Sequence, residues 1–141
     1  MKSQAKVENG VGRSRIADNE WELFVDEDQE GFFDHMSDKV QVQFLGEDWE
    51  TGPWIVPNRF PPNCKAAKHA HNFDTIYYIL AGTMSFNDGS GWYSAGDLRW
   101  VRAGTNYGPE EAGPDGCDFL LISQGPIDIQ WVGAETHTVT A

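Results

Sequence analysis

The 141-residue sequence is poor in cysteine, in basic residues and in long apolar runs. Its two cysteines, Cys64 and Cys117, are too few for a disulfide framework, so both are expected as reduced thiols. Ten Lys and Arg stand against 22 Asp and Glu, a formal net charge of -12. A nucleic-acid binder needs a basic footprint that displaces counterions, and the sequence has no basic cluster. An anionic membrane surface would repel such a chain. The longest apolar run, IYYILA, is far too short to cross a bilayer. The opening stretch MKSQAKVENGVGRSRIADNE lacks the apolar centre of a secretory signal. These absences point to a cytoplasmic protein whose partner is a small organic molecule rather than nucleic acid or membrane.

Turn formers and aromatics are plentiful: 15 Gly, 7 Pro, 6 Trp, 8 Phe and 4 Tyr. VQVQFL alternates Val40, Val42 and Phe44 against Gln41 and Gln43, a half-buried strand with one wet face. GPWIVPNRF carries Pro57, which reads as an edge or bulged strand. TIYYILAG is apolar on both faces, as for a strand between two layers. NDGSG, AGD and AGTNYGP are turns, and CDFLLIS and IDIQWV are late strands. No amphipathic helix of ordinary length is visible, and 30–38 has room only for a short one. The pattern predicts an all-β sandwich or barrel spanning 14–141, preceded by a flexible, polar segment over 1–13. DEDQEG places Asp26, Asp28 and Glu30 before Gly31 like the start of a calcium loop. The position for its bidentate Glu is Ser37, so a solvated acidic loop is expected instead.

KHAHNFDTIYYILAG holds two of the four histidines. His69 and His71, one residue apart, share one face of a strand, and paired imidazoles on an inward face are a common start to a metal site. The same register carries Thr75, Tyr77 and Ile79 inward and sets Asp74, Ile76, Tyr78 and Leu80 toward another layer. His69-Ala70-His71 is preceded by five residues and Asn63, and followed by three residues, Thr75, six residues and Gly82. Downstream, Gly96, five residues, Arg102-Ala103-Gly104, two residues and Tyr107 form a second motif.

Over residues 40–132 this layout resembles the cupin superfamily. The resemblance implies a double-stranded β-helix, or jelly-roll barrel, with its active site inside. Cupins supply a metal with His, His, Glu and His. Here the first two positions are His69 and His71, the Glu position is Thr75 and the last His position is Tyr107. The resemblance therefore implies a site in which His69, His71 and Tyr107 hold a divalent Fe, Zn, Mn, Ni or Cu ion, or in which no metal is held. Asp74, Glu110 and Glu111 are alternative third ligands. Tyr107 and His71 are the expected catalytic groups, as acid and base. Thr75, Tyr77, Arg102 and Trp100 are the expected substrate-binding residues, Arg102 as a carboxylate clamp if it points inward. The reaction would be of oxygenase, isomerase or lyase type. A metal-free acid–base enzyme and a metal-free ligand-binding sensor or carrier are the alternatives. FLLISQGPIDI near the end is similar to diketone-cleaving cupin dioxygenases. Cupins pair commonly through their N-terminal segments, which implies a homodimer.

Overall fold

Glycine and proline punctuation divides the chain into short strands, seen in a computed structural model that describes residues 1–24 and 32–139. In chain order these are β1 (Lys6–Glu8), β2 (Val11–Arg13), β3 (Glu22–Leu23), β4 (Gln41–Val42), β5 (Trp54–Phe60), β6 (Lys65–Ala66) and β7 (His69–Ala70). They continue with β8 (Thr75–Ser85), β9 (Trp92–Ser94), β10 (Leu98–Val101), β11 (Glu110–Ser123), β12 (Asp128–Trp131) and β13 (Thr136–Thr138). The main sheet runs β10-β8-β11-β5-β4-β3, with β6 added on β11 and β9 on β8. A smaller sheet, β13-β12-β7, lies against its inner face. All pairings are antiparallel, and the architecture is that of a jelly-roll barrel.

Period two along β8 and β11 turns Tyr77, Ile79, Phe119 and Leu121 inward, where they meet Ile127, Ile129 and Trp131 from the small sheet and the loop before it. Gly82, in positive φ, lies so close to β11 that a Cβ there would run into the Gly116 carbonyl. This explains why the glycine falls where the strand must pass its neighbour.

Several expectations need correction. Pro57 does not mark an edge, because β5 pairs with β11 on one side and β4 on the other. Its carbonyl accepts from Gln43 N–H on the β4 side, just past the end of β4, so the missing N–H forgoes only the return bond to the Gln43 carbonyl and leaves the β11 ladder intact. Gln43 is not on a wet face: it is fully buried, with its side chain bonded to Asn19 and the Ile16 carbonyl. Residues 6–13 form the β1–β2 hairpin, exposed throughout, where composition suggested a flexible segment. The short helical element is a 3-10 turn at Phe32–His35. The DEDQEG stretch, residues 26–31, lies outside the described residues.

The outer face of β8 also departs from expectation. Cross-strand partners share a face, so the register sets two apolar rows across four strands: Trp100, Ile76, Ile122, Ile55 and Leu98, Tyr78, Leu120, Pro57. No layer of the described chain covers the β10 end of these rows, where Trp100 and Leu98 are more than half exposed. Both cysteines are free and buried. Among the described residues no helix is long and apolar enough to cross a membrane.

Candidate functional site

Main-chain bonds bring the two sequence motifs together before any side chain contributes. His69 and Tyr107 exchange N–H···O bonds of 3.0 and 2.9 Å, and Gly104 N–H donates to the His71 carbonyl at 2.8 Å. The loop after β10 is thereby fastened along β7. The result places His69, His71, Tyr77, Tyr107 and Glu110 side by side, all buried.

The two imidazoles are oriented by backbone. His69 Nδ1 donates to the Ala67 carbonyl at 2.6 Å, and His71 Nδ1 donates to the Asp128 carbonyl at 2.5 Å. A carbonyl only accepts, so both Nδ1 atoms carry hydrogen and both Nε2 atoms are left for the site. Tyr107 Oη lies 2.8 Å from His71 Nε2 and makes a very short contact with Tyr77 Oη. Tyr77 Oη donates to Glu110 Oε1 at 3.0 Å, and that same oxygen lies 3.3 Å from His69 Nε2. The edge-on packing of His69 and His71, 4.8 Å between centroids, closes the ring.

Four polar contacts thus join five groups. Burial, with His69 as neighbour, lowers the His71 pKa to about 4, so this imidazole is neutral at neutral pH. Burial acts to raise Glu110, but hydrogen bonding and charge from His69, with Tyr77 and His71 adding, hold it below the usual carboxylate value. Burial, and then the charge of Glu110, push both phenols well above 10.

The donor types, two inward Nε2 atoms and a buried carboxylate, suit a divalent ion. His69 Nε2 and Glu110 Oε1 sit at the spacing of neighbouring ligands on an ion that holds each at about 2.0–2.2 Å. Thr75 Oγ1, at the family's Glu position, is buried next to the Tyr107 hydroxyl and has no hydrogen-bond partner. Among the described residues, no three His, Cys, Asp or Glu side chains, His69, His71 and Glu110 included, form a group arranged to hold a metal ion.

The adjoining cavity, about 50 Å³, has a polar end formed by His69, His71, Tyr77 and Glu110 and an apolar wall that includes Phe119, Leu121, Ile129 and Trp131. Of the alternative third ligands, Glu110 reaches the cluster. Asp74 is outside, accepting from Ala103 N–H at 2.8 Å, and Glu111 turns toward Lys65 at 3.8 Å. Arg102 and Trp100 do not reach the cavity: both are exposed, with the Arg102 guanidinium 5.4 Å from the Trp100 ring. They share a side with Leu98, as the register requires, but that side is the outer one. The inward arginine is Arg99, stacked 4.2 Å over Phe86 and 5.9 Å from the Tyr107 ring. The period of β10 contains this alternation; only its pairing with β8 reveals which set points in.

No curated protein matches the chain. Its fold is similar to solved structures of low identity. An acetylacetone dioxygenase from Acinetobacter johnsonii is 20% identical, with TM-score 0.65, covering 92% of this chain and 84% of that one. An RmlC-like cupin protein from Ralstonia eutropha JMP134 is 18% identical, with TM-score 0.63, covering 90% and 74%. The polyketide cyclase RemF from Streptomyces resistomycificus is 15% identical, with TM-score 0.61, covering 92% and 85%. The family model of the ChrR cupin-like domain matches residues 21–128, a span that contains both motifs and the whole buried cluster, and by this match the chain belongs to that cupin family.

Proposed function

We propose that the protein is a small-molecule enzyme whose chemistry takes place at the buried cluster, with a divalent metal held by His69, His71 and Glu110 and with Tyr107 beside it. The observation that carries this reading is a pair of imidazoles whose Nε2 atoms are both aimed inward by backbone carbonyls, with the buried Glu110 carboxylate beside them. A bound ion would supply Lewis acidity toward a carbonyl or enolate oxygen, or a place for oxygen to react. The chain's own groups have separate tasks. Tyr77 fixes the Glu110 carboxylate, the Tyr107 hydroxyl donates to a substrate oxygen, and Glu110 accepts a proton from carbon next to a carbonyl. The apolar wall keeps water from competing for these bonds. A 1,3-dicarbonyl compound is the proposed substrate class, supported by the chemistry and by the dioxygenase name among the structural neighbours. A metal-free acid–base or ligand-binding site is the second reading, favoured because no three His, Cys, Asp or Glu side chains among the described residues form a group arranged to hold an ion.

Metal analysis of the purified protein, then calorimetry with Fe(II), Zn(II), Mn(II), Ni(II) and Cu(II), tests the metal. Wild type should bind at least one ion, His71→Ala none, and Thr75→Glu should bind more tightly by adding a carboxylate beside the imidazoles. Oxygen uptake with acetylacetone tests the substrate class. If wild type binds no ion at neutral pH while activity or ligand binding persists in chelator, the cluster is an acid–base site.

The proposed partner is a second copy in a cytoplasmic homodimer. The two apolar rows contain no charged side chain, although the chain carries a net charge of -12. Two such acidic chains meet least repulsion across rows that carry no charge, and a self-complementary apolar face suits a two-fold pair.

A further inference from the structure

We propose that a second cleft, on the outer side of Tyr107, binds the anionic group of a small organic molecule, a carboxylate or a phosphate. The proposal is independent of any metal in the barrel. The cleft holds about 470 Å³ and is lined by Lys68, Arg99, Arg102, Asn106, Asp88 and the Tyr107 ring among others. Three of the ten basic residues in this strongly acidic chain therefore converge on one concavity, against a single lining carboxylate.

The pairing of these cations carries the inference. Elsewhere, Arg59 spends Nε and Nη2 on Asp118, two bonds of 3.0 Å, and Lys65 faces Glu111. In the cleft, Lys68 and Arg102 have no carboxylate partner among the described residues. Arg99 meets Asp88 at 2.7 Å and Tyr93 Oη at 3.3 Å, both through Nη1. Its Nε is buried without a partner, and among the described residues its Nη2 makes no bond. A guanidinium held over Phe86, with Nη2 free and two cations without a carboxylate partner nearby, is equipped for an anion. The contrast with the buried site is one of sign: the cavity end is built around the Glu110 carboxylate, the cleft around cations. Tyr107 separates them, its hydroxyl in the inner ring and its ring on the cleft wall.

Titration of the full chain at low ionic strength, followed by amide shifts in NMR at Asn106 and Gly108, tests the cleft. Benzoate and inorganic phosphate are the probes, and benzamide is the uncharged control. At least one anion should saturate at or below about 10 mM, while benzamide should not. The Lys68→Ala/Arg102→Ala variant, altered only at exposed positions, should melt as wild type and bind about tenfold more weakly. Arg99→Lys, which keeps the charge and loses the Nη2 donor, should also weaken binding. Which anion saturates separates a carboxylate ligand from a phosphate one. Failure of both anions to saturate, equal binding of benzamide, or undiminished binding by the double variant overturns the proposal.

Discussion

The two faces of β8 are made from adjacent residues and have opposite fates. Thr75, Tyr77 and Ile79 point inward and are almost wholly buried, and the Tyr77 hydroxyl is tied into a ring of polar groups. Ile76 and Tyr78 point outward, more than a third exposed, in apolar rows that end in bare Leu98 and Trp100. The inner face therefore buries polarity inside an apolar shell, while the outer face leaves apolar surface in water. Most polar groups inside are tolerated because they find a partner, the Thr75 hydroxyl being an exception, and apolar groups outside are costly only until something covers them. The two faces should respond to mutation in different currencies, the inner in folding free energy and the outer in association.

The strongest break in that comparison is Phe119→Ala, which hollows the inner face beside Tyr77. Chemical denaturation should show a loss of about 3–5 kcal/mol, whereas Ile76→Ala outside should cost well under half of that in the monomer. The next is acid. His71 titrates near 4 when folded and near 6.5 when unfolded, so between those values the unfolded chain binds more protons and stability falls as pH falls. The full effect is about 3 kcal/mol, lost from pH 6.5 down to 4. Denaturation midpoints measured across that range in chelator should flatten in His71→Gln.

Outside, Tyr78→Lys with Trp100→Asp should leave secondary structure unchanged and shift the sedimentation of a dimer to that of a monomer. A wild type that is monomeric at micromolar concentration removes the association half of the comparison and leaves the barrel intact. The smallest effect concerns the thiols. Burial raises Cys64 to about 11 and Cys117 to about 12, so both should resist iodoacetamide at pH 8 in the folded protein and react once denaturant is added.

Much of the inner face was legible because a regular strand is its own ruler. From His69 and His71, steps of two lead to Tyr77, and the spacing of Gly82, Gly96 and Gly104 implied the fold. Glu110 was harder to read. Counting back by twos from Leu121, Phe119 and Cys117 arrives at Glu111, the wrong neighbour. The register breaks between Ala112 and Cys117, and this bulge reverses the parity of β11. Arg99 and Arg102 illustrate another limit. Strand period sorts residues into two sets without saying which faces the core, and only the pairing of Leu98 with Tyr78 and Trp100 with Ile76 decides it. The cavity wall from Ile127 to Trp131 was illegible for a third reason, since it depends on where a separate small sheet docks.

The paired main-chain bonds between His69 and Tyr107 have a mechanical consequence. His69 is also paired with Trp131 of β12, and β12 carries β13 on its other edge. The loop after β10, the paired histidines and the C-terminal hairpin are therefore links of one chain of levers. A push on the Tyr107 backbone that keeps its two bonds to His69 is passed on to β7 and β12, so the geometry of the site is tied to the small sheet that backs it.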